Sequence, residues 1–132
     1  IKRVCDHENP LVVWGDGTNI RDFVYCDDVA ASILKIIQKN ITKPINIGSG
    51  KGTSIKNLVK LIVNSKHIKN KPKIIFDKTK NSGDKKRILD TSFAESKNIK
   101  NKTNLKNNID ETIKWYLSNQ NKLKKKFNYF SK

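Results

Sequence analysis

The sequence predicts an α/β fold. Short apolar runs closed by glycine-rich turns alternate with amphipathic helical spacing, no internal repeat interrupts them, and 132 residues at 36% hydrophobic content suffice for one core. Leu11-Val12-Val13-Trp14, ended by Gly15-Asp16-Gly17, reads as a buried strand and its turn. Phe23-Val24-Tyr25 reads as a second extended piece. Asp27 or Asp28 then offers an N-cap to a helix in which Val29, Ala30, Ile33, Leu34 and Ile37 recur at helical spacing, ending near Asn40.

Residues 44–50 read as a strand with a glycine-rich exit, and Thr53 or Ser54 caps a helix striped by Ile55, Leu58, Val59 and Ile62 that ends before Pro72. Residues 73–77 form a further candidate strand. The polar stretch 78–86, with Gly83 at its centre, is too hydrophilic for core and reads as a loop, the kind of segment that carries function. Residues 87–90 return to an apolar pattern, Thr91 or Ser92 caps a short helix through Ala94, and Leu105, Ile109, Ile113, Tyr116 and Leu117 mark a last amphipathic helix. Residues 1–118 are expected to form one binding region and residues 119–132 a basic, flexible tail.

A net charge of +16 raises the alternative of a small basic nucleic-acid-binding protein. Its distribution favours solvated faces instead, since the lysines, Lys2 apart, run from Lys35 to Lys132 mixed with Asn and Ile. No apolar run is long enough to cross a bilayer, so no membrane partner is expected. Cys5 and Cys26 stand apart, with no His or Cys at metal-ligand spacing, and His7 and His67 are isolated; reduced thiols, surface histidines, no metal and a cytoplasmic location are the corresponding expectations. Without any methionine, Ile1 is not an initiator, and the chain is expected to be a portion of something longer.

Arg21 is the leading candidate for ligand chemistry. Its guanidinium is a rigid, permanent fork suited to two phosphate oxygens, and Gly15 and Gly17 allow the preceding turn to approach a ligand. A surface ion pair with Asp22 or Asp27 is the alternative role. Trp14 could stack on a base or sugar face or belong to the core. Gly48-Ser49-Gly50-Lys51-Gly52 before a helix has the look of a phosphate cradle, but it lacks the spacing of the dinucleotide and nucleoside-triphosphate fingerprints and reads as a strand-to-helix turn.

The block Trp14 to Asp28 resembles the W-G-x-G-x-x-x-R-[DE]-F-x-[YH]-x-[DE]-D segment of extended short-chain dehydrogenases that act on nucleotide sugars. Asn46-Ile47-Gly48-Ser49-Gly50 resembles a second block of that family. Phe76-Asp77-Lys78-Thr79-Lys80, continuing to Asp90-Thr91-Ser92, resembles the D-x-[ST]-K-P-D-G-x-x-[RK]-[RK]-x-[LM]-D-[TV]-[ST] segment of its fucose-synthase-like members, the GDP-4-keto-6-deoxymannose epimerase-reductases. Asn81 and Ser82 depart from that pattern, and Lys85 stands where those members frequently have proline. The resemblance implies the C-terminal substrate-binding lobe of such an enzyme, with elements that pack on a Rossmann sheet absent from this chain. It implies a nucleotide diphosphate-sugar as partner, Arg21 with Lys86 or Arg87 on the diphosphate, Trp14 beside the sugar nucleotide, and a homodimer at full length. A UDP-hexose 4-epimerase or a sugar-nucleotide dehydratase shares the first block and is the alternative within the family.

The family's NADP or NAD fingerprint, catalytic Ser and Tyr-x-x-x-Lys have no counterpart here, and Tyr25, Tyr116 and Tyr129 each lack a Lys four residues on. No catalytic or cofactor-binding residue is therefore assigned. Residues 1–132 alone are expected to bind no NAD(P) and to turn over no sugar; a spectrophotometric assay detecting hydride transfer by this chain alone would contradict that expectation.

Overall fold

The computed structural model describes residues 1–101 and 104–124. In chain order it contains α1 (Lys2–Cys5), β1 (Leu11–Trp14), β2 (Ile20–Asp22), α2 (Cys26–Gln38), β3 (Gly52–Ser54), α3 (Ile55–Val63), β4 (Ile74–Asp77), β5 (Lys86–Arg87), α4 (Ser92–Ser96) and α5 (Leu105–Lys124). β1 and β4 pair in parallel, Leu11 beside Ile74 through Trp14 beside Asp77. A second sheet has the order β3-β2-β5, antiparallel on the β3 side and parallel on the β5 side. The architecture is mixed α/β with parallel pairing, as expected.

The core gathers α1, β1, α3 and α5. Val4, Cys5, Leu11, Val59, Ile62, Val63, Ile68, Ile109 and Ile113 form its buried cluster, with Leu58, Ile74 and Leu105 packed against it. α3 and α5 enter through the apolar stripes read from their sequences, because positions three and four apart fall on one helix face. Ser54 caps α3 by accepting the Asn57 N–H at 3.2 Å, which settles the choice between Thr53 and Ser54. Buried Asp110 on α5 accepts from the Ser65 hydroxyl and, at 3.3 Å, from Lys106 Nζ, tying the end of α3 to α5. His67 is half-buried rather than on the surface, and its Nε2 meets no hydrogen-bonding partner among the described residues.

Four expectations are corrected. The strand expected at Phe23–Tyr25 lies at Ile20–Asp22, because neighbours on both sides supply ladder bonds there and none reach the aromatic residues. Neither Asp27 nor Asp28 is the N-cap of α2; Tyr25 holds that position without a side-chain bond, and the two carboxylates occupy the first turn, where the helix dipole favours them. Residues 44–50 join no ladder, since no described strand lies beside them; side chains hold them instead, with Asn46 Nδ2 donating to Asp90 O at 3.0 Å and Asn101 Nδ2 donating to Gly48 O. α5 continues through Lys124, six residues past the boundary expected at 118, and the remainder of the expected tail lies outside the described residues.

α2 turns its sequence stripe outward. Ile33, Leu34 and Ile37 are 46%, 61% and 65% exposed while Ser32 is buried and donates to Asp28 O at 2.7 Å.

Ile113 is fully buried, so Ile113→Ala is expected to cost about 2–5 kcal/mol of stability, measured by chemical denaturation. Asp110 adds a pH dependence. The Ser65 hydroxyl, opposed by burial and assisted by Lys106, holds the Asp110 carboxyl below its usual value of 3.8. A depressed native pKa contributes stability that is complete above the unfolded value and is lost as pH falls through the native one. Asp110→Asn is therefore expected to flatten the acid side of a plot of unfolding midpoint against pH.

Candidate functional site

The second sheet is short, and its register decides what it presents. In paired strands, residues directly opposite project to one face and their neighbours to the other. Arg21 is paired with Thr53 on one side and Arg87 on the other, giving a row Thr53–Arg21–Arg87. Ile20 is paired with Ser54 and Lys86, so Lys86 leaves from the opposite face. Adjacent strands lie about 4.8 Å apart, so the two arginine side chains start from neighbouring backbone positions. Like charges placed directly opposite across strands are destabilising, so this arrangement is costly without an anion to reward it.

Each arginine is held differently. Arg21 is half-buried, its Nη1 donates to Ile20 O at 2.8 Å, and it has no carboxylate partner among the described residues. The expected alternative, an ion pair with Asp22 or Asp27, is formed with neither; Asp22 is engaged elsewhere, and Asp27 accepts from the Cys26 thiol at 3.6 Å. Arg87 is exposed and meets Asp84 at the end of the loop leading into β5. Both groups remain available to an anion, Arg87 by exchanging an exposed ion pair of the kind worth little.

Asp22 faces the glycine-rich turn. Its carboxylate accepts from the Ser49 N–H at 2.8 Å, the Gly50 N–H at 3.0 Å and the Ser49 hydroxyl. A Cβ at Gly48 would stand 2.8 Å from Asp22 Oδ2, so glycine is required for this approach. The resemblance to a phosphate cradle is thus physical, but the cradle holds the chain's own carboxylate. The Ser49 and Gly50 N–H groups are thereby committed to Asp22.

Trp14 ends β1, in the other sheet, and is 67% exposed. Core packing within this chain does not account for it. The following turn is shaped by Asp16, which accepts from the Thr18 N–H at 2.9 Å and hydroxyl at 2.6 Å; these bonds, led by the hydroxyl, hold its carboxyl below the usual range. Gly15, at φ +80°, lets the turn pass under the 78–85 loop, for a Cβ there would stand 2.5 Å from that of Ser82. Asn81, where the resembled segment has proline, restrains the loop by accepting the Gly83 N–H at 2.8 Å.

Two features were not found in the sequence. Asn19, only 6% exposed, directs Nδ2 at the carbonyls of Ser82, Gly83 and Asp84, at 3.3, 3.3 and 2.8 Å. Thr53 lines a cavity of about 590 Å³ together with Phe23, Tyr25, Lys51 and Lys106, whereas Arg21 and Arg87 are not among its lining residues. That volume lies within the range of small-molecule sites.

Among known proteins, the profile of the NAD dependent epimerase/dehydratase family matches residues 1–48. GDP-L-fucose synthase 1 of Arabidopsis thaliana is 30% identical over 110 residues, covering 83% of this chain and 33% of the relative. GDP-L-fucose synthase of Escherichia coli K12 is 28% identical over 124 residues, covering 86% and 38%. The solved UDP-glucose 4-epimerase of Thermotoga maritima, with UDP-glucose, superposes with a TM-score of 0.71 at 27% identity, covering 90% of this chain and 38% of that one. The chain spans about a third of the length of the curated relatives it matches.

The carboxylate in the turn can be tested directly. Asp22→Ala is expected to remove exchange protection from the Ser49 and Gly50 amides while leaving the α5 amides around Ile113 protected, as read by hydrogen–deuterium exchange.

Proposed function

We propose that this chain, whose residues 1–48 match the NAD dependent epimerase/dehydratase family, supplies the diphosphate-binding part of a nucleotide-sugar epimerase-reductase of the GDP-L-fucose synthase kind. The observation that carries the reading is the direct pairing of Arg21 with Arg87 across β2 and β5. Two permanent cations on one face, one of them without a carboxylate partner among the described residues, suit a doubly charged phosphate chain better than they suit each other. Trp14, exposed at the end of β1, is assigned to the nucleotide or sugar face. Lys86, on the other face of β5, adds to the local positive field rather than to the contact set.

The chemistry itself is assigned elsewhere. In this proposal the chain binds and orients substrate, and hydride transfer from NADP or NAD belongs to a Rossmann domain of the full-length enzyme. The outward stripe of Ile33, Leu34 and Ile37 on α2 supports that division, since such a face suits packing on another domain. A cytoplasmic homodimer at full length completes the proposal, and among the described residues no helix is long and apolar enough to cross a membrane. The second reading, a UDP-hexose 4-epimerase, draws on the similarity to the UDP-glucose 4-epimerase structure.

Calorimetric titration of the intact protein with GDP-, UDP-, CDP- and dTDP-sugars tests the proposal and separates the two readings. Loss of a charge-assisted hydrogen bond costs about 1.5–3 kcal/mol, so Arg21→Ala and Arg87→Ala are each expected to weaken binding roughly 10- to 100-fold. Deleting residues 125–132 is expected to leave it unchanged. Asp84→Asn, which removes the internal competitor for Arg87, is expected to tighten binding a few-fold. Salt-sensitive affinity for random oligonucleotides exceeding that for every sugar nucleotide would overturn the proposal in favour of a nucleic-acid binder.

A further inference from the structure

We infer that Asn19 is a positioning residue, one that fixes the 82–85 loop over Arg21 and so sets the geometry of the anion site. The inference rests on the reading of Arg21 and Arg87 as a diphosphate clamp. Its basis is the fate of four consecutive carbonyls. Asn19 Nδ2 lies 3.3 Å from Ser82 O, 3.3 Å from Gly83 O and 2.8 Å from Asp84 O, and the Ile20 N–H donates to Lys85 O at 2.9 Å. A carboxamide nitrogen carries only two hydrogens, so the Asp84 contact is the principal bond and the other two share what remains. Residues 63 to 65 positions away along the chain are thus gathered by one buried side chain.

Electrostatics gives the arrangement a use. Carbonyl oxygens facing the arginines would repel a phosphate, and turning four of them toward residues 19 and 20 removes that repulsion. The same bonds bring Gly83 beside the guanidinium: a Cβ there would stand 3.9 Å from Arg21 Nη2, and the residue's φ of +71° favours glycine. The loop also delivers Asp84 and β5, hence Arg87, next to the strand that carries Arg21. Asn19 backbone O meanwhile accepts the Ile55 N–H at 2.9 Å, which ties the same residue to the start of α3. A loop whose placement depends on one buried amide is sensitive to the chemistry of that amide, because an acid or methyl group in its place leaves the carbonyls without a donor.

The test uses Asn19→Asp, which keeps the shape and removes the donors, in the intact protein. Lys80 and Lys85 flank the segment and report on it through trypsin cleavage followed by mass spectrometry. Cleavage at these two lysines is expected to rise about tenfold without ligand, with cleavage around Lys60 in α3 unchanged, and affinity for GDP or UDP is expected to fall about tenfold. Added nucleoside diphosphate is expected to protect the loop in the unsubstituted protein. Should Asn19→Asp fail to fold, Asn19→Ser, which keeps one donor on a shorter arm, is expected to give an intermediate rise. Unchanged cleavage overturns the inference, as does increased cleavage with undiminished affinity. If the unsubstituted protein binds no nucleoside diphosphate while Asn19→Asp still frees the loop, the clamp reading fails and the structural coupling by Asn19 stands.

Discussion

The register of a three-residue strand governs the rest of the site. Ile20–Asp22 is paired on both sides, and the pairing puts Arg21 between Thr53 and Arg87. Side chains alternate along a strand, so a slip of one residue would send Arg21 to the face of Lys86 and bring Ile20 beside Arg87. Three ladder positions are few to hold such a choice. The surrounding side chains supply the remainder: Asn19 and Asp22, flanking the strand's first residue and forming its last, bind the 82–84 loop and the 48–50 turn, respectively.

Stability and binding are divided between two parts of the chain. The buried cluster of α1, β1, α3 and α5 is built from aliphatic packing, whereas the second sheet is held by its backbone ladders and by side chains that tie it to the adjoining loop and turn. Substitutions in the cluster act through cavity terms, while those at Asn19, Asp22 or Asp84 act through single polar contacts. The two parts meet at the Ser54–Ile55 junction, where β3 ends and α3 begins. Such a junction lets a helix anchored in the core fix the position of a strand in the site.

What the sequence disclosed follows from the physics of each element. α3, α5, β1 and β4 were legible because burial of an apolar face imposes a period, and Ile55, Leu58, Val59 and Ile62 or Leu11 and Val13 carry it. β2 was misplaced onto Phe23–Tyr25 because strand propensity favours aromatic and β-branched residues, while the observed strand contains Arg21 and Asp22 and exists through its partners. β5 was hidden within a lysine-rich stretch for the same reason. Arg21 and Arg87 were individually visible as candidates, but their pairing is a property of register. Asn19 was hidden by context, as one asparagine in a chain rich in them gives no local sign that its amide is buried.

The carboxylate inside the glycine-rich turn has a consequence for how such sequences evolve and are interpreted. Gly48-Ser49-Gly50 presents donors at anion-binding spacing, and a residue 27 positions upstream of Ser49 determines whether any external anion can use them. The turn is therefore a latent receptor kept silent by an intramolecular tenant, and drift at one acidic position could unmask it. A glycine signature identifies a pocket of N–H groups; ownership of that pocket is written elsewhere in the chain.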